Sequence, residues 1–587
     1  MTLFSQTSLP QFDSKPEKRL EKLEEFRQKF QYDFSVVDQV PISASIPDEA
    51  KAGTLWNLKI VATQYQIRRN WEKILEDKDY VFEFPLPEKP VSEIAKMLID
   101  GDLLNYIRYT NPDLGVALKD KRPSSFTQYY ELFKQFDIPE GGDKLFDDGE
   151  FADYFVAGLN PVMIQKLTAL QDNYGFNDDH VNQHPKFADD SIEGMIADER
   201  LFVVDYFELA LLKDGQHPDQ PKYGYRPIVF LAVPKNGDNL EILAIQNEQG
   251  ADALVLTPFS GKWDWLIAKT MVKVADSNYH EVVSHLGLTH LLIDPIVIAT
   301  FRQLAPQHPL HTLLVPHFEG TLPINALAVK TLLPKGGTVE QLLSAEIETG
   351  YEVLRIKRNS FHFRDNLLPA NLKARGVDSS SKIKNYPYRD DGLLVWNAIQ
   401  DWVSDYVDLY YNSDSDVAND NELAAWTSEI MAPDAGRVNG FAPSEGIITK
   451  QVLVETLTMI LFTCSAQHAA VNFPQGRASA VAYQPLAGYQ PAPTTEGLDE
   501  QGATEFLPPL DRAIKQVHTL HLLGQTYYTQ LGQYNLGTFS DKRVVPKLWK
   551  FQLALRGVES TIKDRNKTRR TSYEYLVPSK IPQSINI

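Results

Sequence analysis

The sequence predicts a mainly α protein, a large helical domain with a small β subregion and a helical N-terminal extension. Three observations carry this. Apolar residues recur at helical spacing through most of the chain, strand-like runs are confined to about residues 200–247, and 43% hydrophobic against 23% charged residues supplies a large core.

The first element is KPEKRLEKLEEFRQKF (15–30), whose Leu20, Leu23, Phe26 and Phe30 form one helical stripe. A helix laid over the main core accounts for such a stripe; the alternative is a surface that docks on lipid. Its six basic and four acidic residues nearly cancel, unlike a basic membrane anchor. Further on, RLFVVDYFELALL and PIVFLAVPKNGDNLEILAI predict a few strands, the second run split by Asn-Gly-Asp into a hairpin. Long helices follow. One starts at Gly261, a second carries Trp396, Ile399, Trp402, Tyr406 and Leu409 on one face, and a third runs through Lys450–Ala470. Cys464 lies in the apolar run ILFTCSAQ of that third helix and is expected to pack.

Between these helices, Asn412–Glu422 (NSDSDVANDNE) lacks the sixth-position glycine and twelfth-position glutamate of a calcium-binding EF-hand loop, and reads as a solvated turn. Pro485–Gly502 reads as a loop rich in Pro, Gly and Thr.

Charge and cysteine content exclude several functions. With 58 basic and 77 acidic residues the net charge is −19, which repels phosphate backbones and excludes nucleic acid as a natural partner. A single cysteine permits no intramolecular disulfide and no thiolate-rich metal site. The start lacks a basic segment followed by an apolar run, and the apolar windows Leu201–Leu212 and Leu453–Val471 carry polar residues. A soluble, cytoplasmic protein is expected.

Six of thirteen histidines (His280, His285, His290, His308, His311, His317) fall within 38 residues. His285 and His290 sit in an apolar helical stretch where each imidazole needs a partner, and a metal is one. Five residues on a regular α-helix set side chains roughly 140° apart, so convergence requires a π-bulge near Gly287. The segment HEVVSH does not fit a zinc peptidase, whose two histidines are four apart. In QHAAVNFPQ, His468 and Asn472 are four apart and share a helix face, as metal ligands or as a hydrogen-bonded pair. Imidazoles with an amide oxygen and open positions suit iron better than structural zinc. No serine elbow, phosphate-cradling loop or GxGxxG turn is present.

The residues HEVVSHLGLTH, HPLHTLLVPHF, QHAAVNF and the ending VPSKIPQSINI resemble those of the lipoxygenases. The similarity continues through FVAGLNPVMIQKL, RLFVVDYFE, LPANLKARGV, YPYRDDGLLVWNAI and LPPLDRAI, over roughly residues 150–587. It implies a catalytic domain at 111–587. The preceding 1–110 is expected to be a helical extension without the β-sandwich lipid-binding (PLAT) domain of plant and animal relatives.

The resemblance also implies one non-haem iron, with manganese as the lesser alternative, held by His285, His290, His468, Asn472 and the carboxylate of Ile587. Beyond the iron-bound hydroxide, which takes a bis-allylic hydrogen before O2 adds to the radical, no catalytic residue is implied. The implied substrates are a polyunsaturated fatty acid such as linoleate, and O2; the product is a hydroperoxide, the start of oxylipin synthesis. Carried over in the same way, Ala328, Leu332 and Val339 fall at pocket positions, with the Ala328 methyl pointing to an S product. Gln475 follows the iron Asn as an outer amide, and Glu281 stands where several relatives have glutamine. The alternatives are hydroperoxide isomerase or lyase activity on the same iron, or a silent lipid-binding protein. Peripheral membrane contact through the N-terminal helices, including the Leu20–Phe30 stripe, is a further expectation.

Overall fold

The computed structural model describes residues 7–77, 121–237 and 239–587. The expected boundary at residues 110/111 lies outside them.

Helix α1 (Pro16–Lys29) forms over the predicted stripe, with Pro16 at its first turn, where a missing N–H costs nothing. Leu23, Phe26 and Phe30 are buried. The Phe30 ring stacks on Phe301 with centroids 4.3 Å apart, and Phe26 meets the same ring edge-on. Of the stripe only Leu20 faces outward, so the expected lipid contact through it is corrected: the stripe covers the core. The N-terminal region is also not wholly helical, because strands β1 (Tyr32–Val37) and β2 (Val40–Ser43) form an antiparallel hairpin before helix α2 (Thr54–Asp77).

A five-stranded antiparallel sheet follows in the order β3 (Gln165–Lys166), β4 (Leu201–Asp205), β5 (Ile228–Ala232), β6 (Glu241–Gln246) and β7 (Val255–Leu256). Both faces are covered. Phe202, Val204, Val229 and Leu231 enter the main core, while Leu201, Val203, Ile228 and Phe230 pack into a smaller cluster, which is why these strands read as continuous apolar runs.

Two helical rods carry the centre of the molecule. The first joins α3 (Lys262–Tyr279), a π-helical segment (His280–His290) and α4 (Leu291–Gln303). The second joins α8 (Lys450–Phe462), a shorter π segment (Thr463–Gln467) and α9 (His468–Asn472), and packs against α7 (Pro387–Val407). Lys262–Gln303 and Lys450–Ala478 are long and apolar enough to cross a bilayer, yet 89% and 78% of their apolar windows are buried inside the protein. Around them lie α5 (Thr321–Thr331), α6 (Ile347–Ser360), α10 (Leu510–Gln525) and α11 (Val544–Asn566).

The acidic segment 412–422 is not a solvated turn throughout. Asp420 is buried, accepts from Tyr411 Oη at 2.7 Å, lies 2.9 Å from His308 Nε2 and caps the next helix. Cys464 is buried, as packing requires.

Candidate metal centre

The π segment arises where the sequence demanded a departure from α geometry. A π-helix closes i→i+5 hydrogen bonds, so residues five apart stand one turn apart on the same side. The Leu291 N–H donates to Leu286 O in this register, and Thr289 Oγ1 donates to the carbonyls of Ser284 and His285. His285 and His290 are thereby brought together, their rings 4.8 Å apart by centroid. His468 enters from the opposite rod, and ligand atoms of the three histidines all lie within 4.8 Å of one another, buried.

The hydrogen bonds settle which ring nitrogens face inward. Glu281 Oε2 lies 3.2 Å from His285 Nδ1, and an ionised carboxylate only accepts, so Nδ1 carries a proton and, in the neutral imidazole, Nε2 a lone pair. Asn325 Nδ2 donates to Asp294 Oδ2 at 2.8 Å, which turns its Oδ1 toward His290 Nδ1, also at 2.8 Å. His290 Nε2 is then a lone pair too. With both rings in the neutral form that ligates, these two nitrogens face each other across 3.2 Å with no proton between them, an arrangement a cation relieves. Two ligands at right angles, each about 2.1 Å from one metal, stand about 3.0 Å apart, close to the spacing seen here. The donor set therefore fits a metal.

Burial keeps His290 and His468 in the neutral form that ligates. It pushes His290 down to about 3 and His280 to about 4, each helped by the neighbouring His285, and holds His468 well below the ordinary range. Burial alone would raise Glu281, but the adjacent His285 brings its carboxyl down to about 2.

An oxygen of Ile587 lies 3.1 Å from His468 Nε2. All of residues 581–587 are buried in irregular backbone, so each polar group needs a partner from elsewhere. His317 Nδ1 donates to Gln583 O (2.8 Å), Ser584 Oγ to Glu319 O (2.7 Å), Thr321 Oγ1 to Ile585 O (2.9 Å) and Trp56 Nε1 to Asn586 O (2.5 Å). Asn472 donates to Leu523 O at 2.9 Å and accepts from Gln475 Nε2 at 3.0 Å.

A cavity of about 540 Å³ opens against this centre, within the range of roughly 300–1,000 Å³ usual for small-ligand sites. Its wall includes Glu281, His285, His290 and Ile587 together with Ala328, Leu332 and Val339, the three pocket positions carried over from the resemblance. Gln475 does not line it. It lines instead a small adjoining void of about 30 Å³, shared with Glu281 and Val339.

The other clustered histidines have structural partners. His280 Nε2 lies 2.6 Å from Val471 O, His311 packs on Phe301, and His308 and His317 are bound as described. Sequence reasoning missed Asn325, Trp56 and Thr321. Asn325 left a trace, as a polar side chain inside the apolar run TLPINALAVK.

Against known proteins, the lipoxygenase family profile matches residues 118–575. A linoleate 9/13-lipoxygenase of Pseudomonas aeruginosa is 41% identical over 483 residues, 78% of this chain and 69% of that enzyme. A human hydroperoxide isomerase, ALOXE3, is 34% identical over 449 residues, 75% of this chain and 62% of that one. Among solved structures, a coral 8R-lipoxygenase superposes with a TM-score of 0.83 at 27% identity, covering 99% of this chain and 83% of the coral chain.

Proposed function

The chain belongs to the lipoxygenase family, and from that premise we propose that it is a non-haem iron dioxygenase converting polyunsaturated fatty acids to hydroperoxides. The observation that carries this reading is the convergence of His285, His290 and His468 with the Ile587 end of the chain, where His285, His290 and Ile587 reach the wall of one largely apolar cavity. Asn472 would complete the ligand set. When bound, the iron supplies the redox partner and, through its water-derived ligand, the base for removing a bis-allylic hydrogen.

The chain's own residues do the rest. Leu286, Ile324, Leu327, Leu332, Val339 and Leu523 give the cavity an apolar lining that takes up a hydrocarbon tail and excludes water from the reacting carbons. Glu281 and Asn325 hold the Nδ1 protons of His285 and His290, which fixes both rings with their Nε2 lone pairs toward the centre. Ala328 stands on the cavity wall, where its methyl group would shield one end of a bound pentadiene and favour the S product.

Oxygen consumption by metal-quantified protein given linoleate, followed by chiral chromatography, tests this. Stoichiometric uptake with one dominant enantiomer is expected. No uptake by iron-loaded protein, but consumption of preformed hydroperoxide, would move the assignment to the isomerase chemistry for which the human relative is named. The ligand role of the chain end has its own check. A short tag appended after Ile587 is expected to abolish stable iron retention, measured by elemental analysis, and normal iron content would refute it.

A further inference from the structure

Helix α11 presents two faces of different character. Val544, Phe551, Leu555 and Ile562 are buried, with Phe551 stacked on Trp402 of α7 at 5.6 Å. On the outer face Val545, Trp549 and Leu553 are 55%, 68% and 55% exposed. Spaced four and four, they span about 80° of the helix surface. Arg556, exposed, stands seven residues after Trp549 and so falls within about 20° of it on the helix, and Lys542, also exposed, lies in the turn that leads into the helix. Between Lys542 and Val558 there are five cations (Lys542, Arg543, Lys547, Lys550, Arg556) and no carboxylate. Asp405 of α7 pairs with Lys547 at 2.9 Å and Lys550 at 2.7 Å, and Asp541 with Arg543 at 2.7 Å, which leaves Lys542 and Arg556 as the outward charge.

We infer that this face of α11 docks on an anionic lipid bilayer, seating Trp549, Val545 and Leu553 among the headgroups while Lys542 and Arg556 meet phosphates. An indole flanked by long cationic side chains suits the polar–apolar boundary of a membrane, because the ring buries its body there and the stems of Lys and Arg let their charges reach the headgroup layer. Charge complementarity selects the partner. A chain of net charge −19 is repelled by an anionic surface as a whole, so unpaired outward cations such as Lys542 and Arg556 beside an apolar strip favour approach with this face. The inference rests on the fatty-acid reading above, since a bilayer is the store from which such a substrate is drawn.

The test is sedimentation of the intact, iron-loaded protein with vesicles of phosphatidylcholine alone and mixed with phosphatidylglycerol, in low and high salt. Binding to the anionic vesicles is expected, weakened by salt. Trp549→Glu and the double variant Lys542→Glu/Arg556→Glu should each bind about tenfold or more weakly. Trp549→Phe should bind nearly as wild type but lose the lipid-induced blue shift in emission, a change readable against the other seven of eight tryptophans. Thermal melts verify folding, and oxygen uptake on detergent-dispersed linoleate, expected unchanged in every variant, separates failure of docking from failure of the catalytic reading. Equal vesicle binding by Trp549→Glu and wild type would overturn the inference. So would absence of vesicle binding by the wild type, or a wild-type dimer that Trp549→Glu dissociates, which would make the face a protein interface.

Discussion

Glu281 illustrates how one side chain sets the state of a proposed metal ligand, His285. Where a glutamine would offer an amide oxygen, this chain places a carboxylate 3.2 Å from His285 Nδ1, making a carboxylate–histidine pair that strengthens the inward lone pair. Glu281→Leu removes both charge and acceptor and is expected to weaken iron affinity by about 10–100-fold, whereas Glu281→Gln keeps an acceptor and should lose less. Competition with a chelator, read by elemental analysis, measures this, and equal affinities in all three proteins would refute it. At this scale the sequence was legible where polar residues interrupt apolar helices: His285, His290, His468 and Asn472 were visible for that reason. Trp56 and Thr321 were not, because their partners are backbone oxygens of Asn586 and Ile585, more than 260 positions away in sequence. The Ile587 oxygen left no chemical signature at all and entered only through resemblance.

The two π segments make the centre possible at the scale of elements. Spacing alone required the first, since His285 and His290 cannot converge on a regular helix, and the structure extends it from a bulge near Gly287 to the whole of His280–His290. The second, Thr463–Gln467, was not legible, because His468 and Asn472 at four apart already satisfy an ordinary helix. The hairpin β1–β2 carried a signal that went unread, since Tyr32-Asp-Phe-Ser-Val alternates apolar and polar over five residues directly after the α1 stripe. Thr289 holds the first π segment by donating its hydroxyl to the carbonyls of Ser284 and His285. Thr289→Val keeps the shape and deletes the donor. It is expected to cost about 1 kcal/mol of stability by urea unfolding and to lower iron retention, with Thr289→Ser restoring both. Unchanged unfolding and iron content in Thr289→Val would show that backbone register alone maintains the π geometry.

Across the whole molecule, the N-terminal hairpin is linked to the candidate metal centre. Ser43 N donates to Asp294 Oδ1 at 2.9 Å, Asn325 Nδ2 donates to the other oxygen at 2.8 Å, and Asn325 holds His290. Burial pushes the Asp294 carboxyl up to about 7, against the pull of those two donors, while an unfolded aspartate titrates near 3.9. Between those values the folded protein holds a proton on Asp294 that the unfolded chain has released. The stabilisation from this residue is therefore complete below about pH 4 and is lost as pH rises through about 7. Asp294→Asn cannot ionise and should not share that loss. Relative to wild type, the variant should gain stability from pH 5 upward, with a slope approaching about 1.4 kcal/mol per pH unit between about pH 5 and 6 and levelling off above about 7. Asp276, buried and pushed up to about 6, has the same sign in both proteins and cancels in the difference. Urea midpoints of the two proteins across that range measure the slope directly. Parallel curves would mean that Asp294 carries its charge at every pH tested, in which case the hairpin and Asn325 would be held to α4 by a permanent anion rather than by a titrating carboxyl.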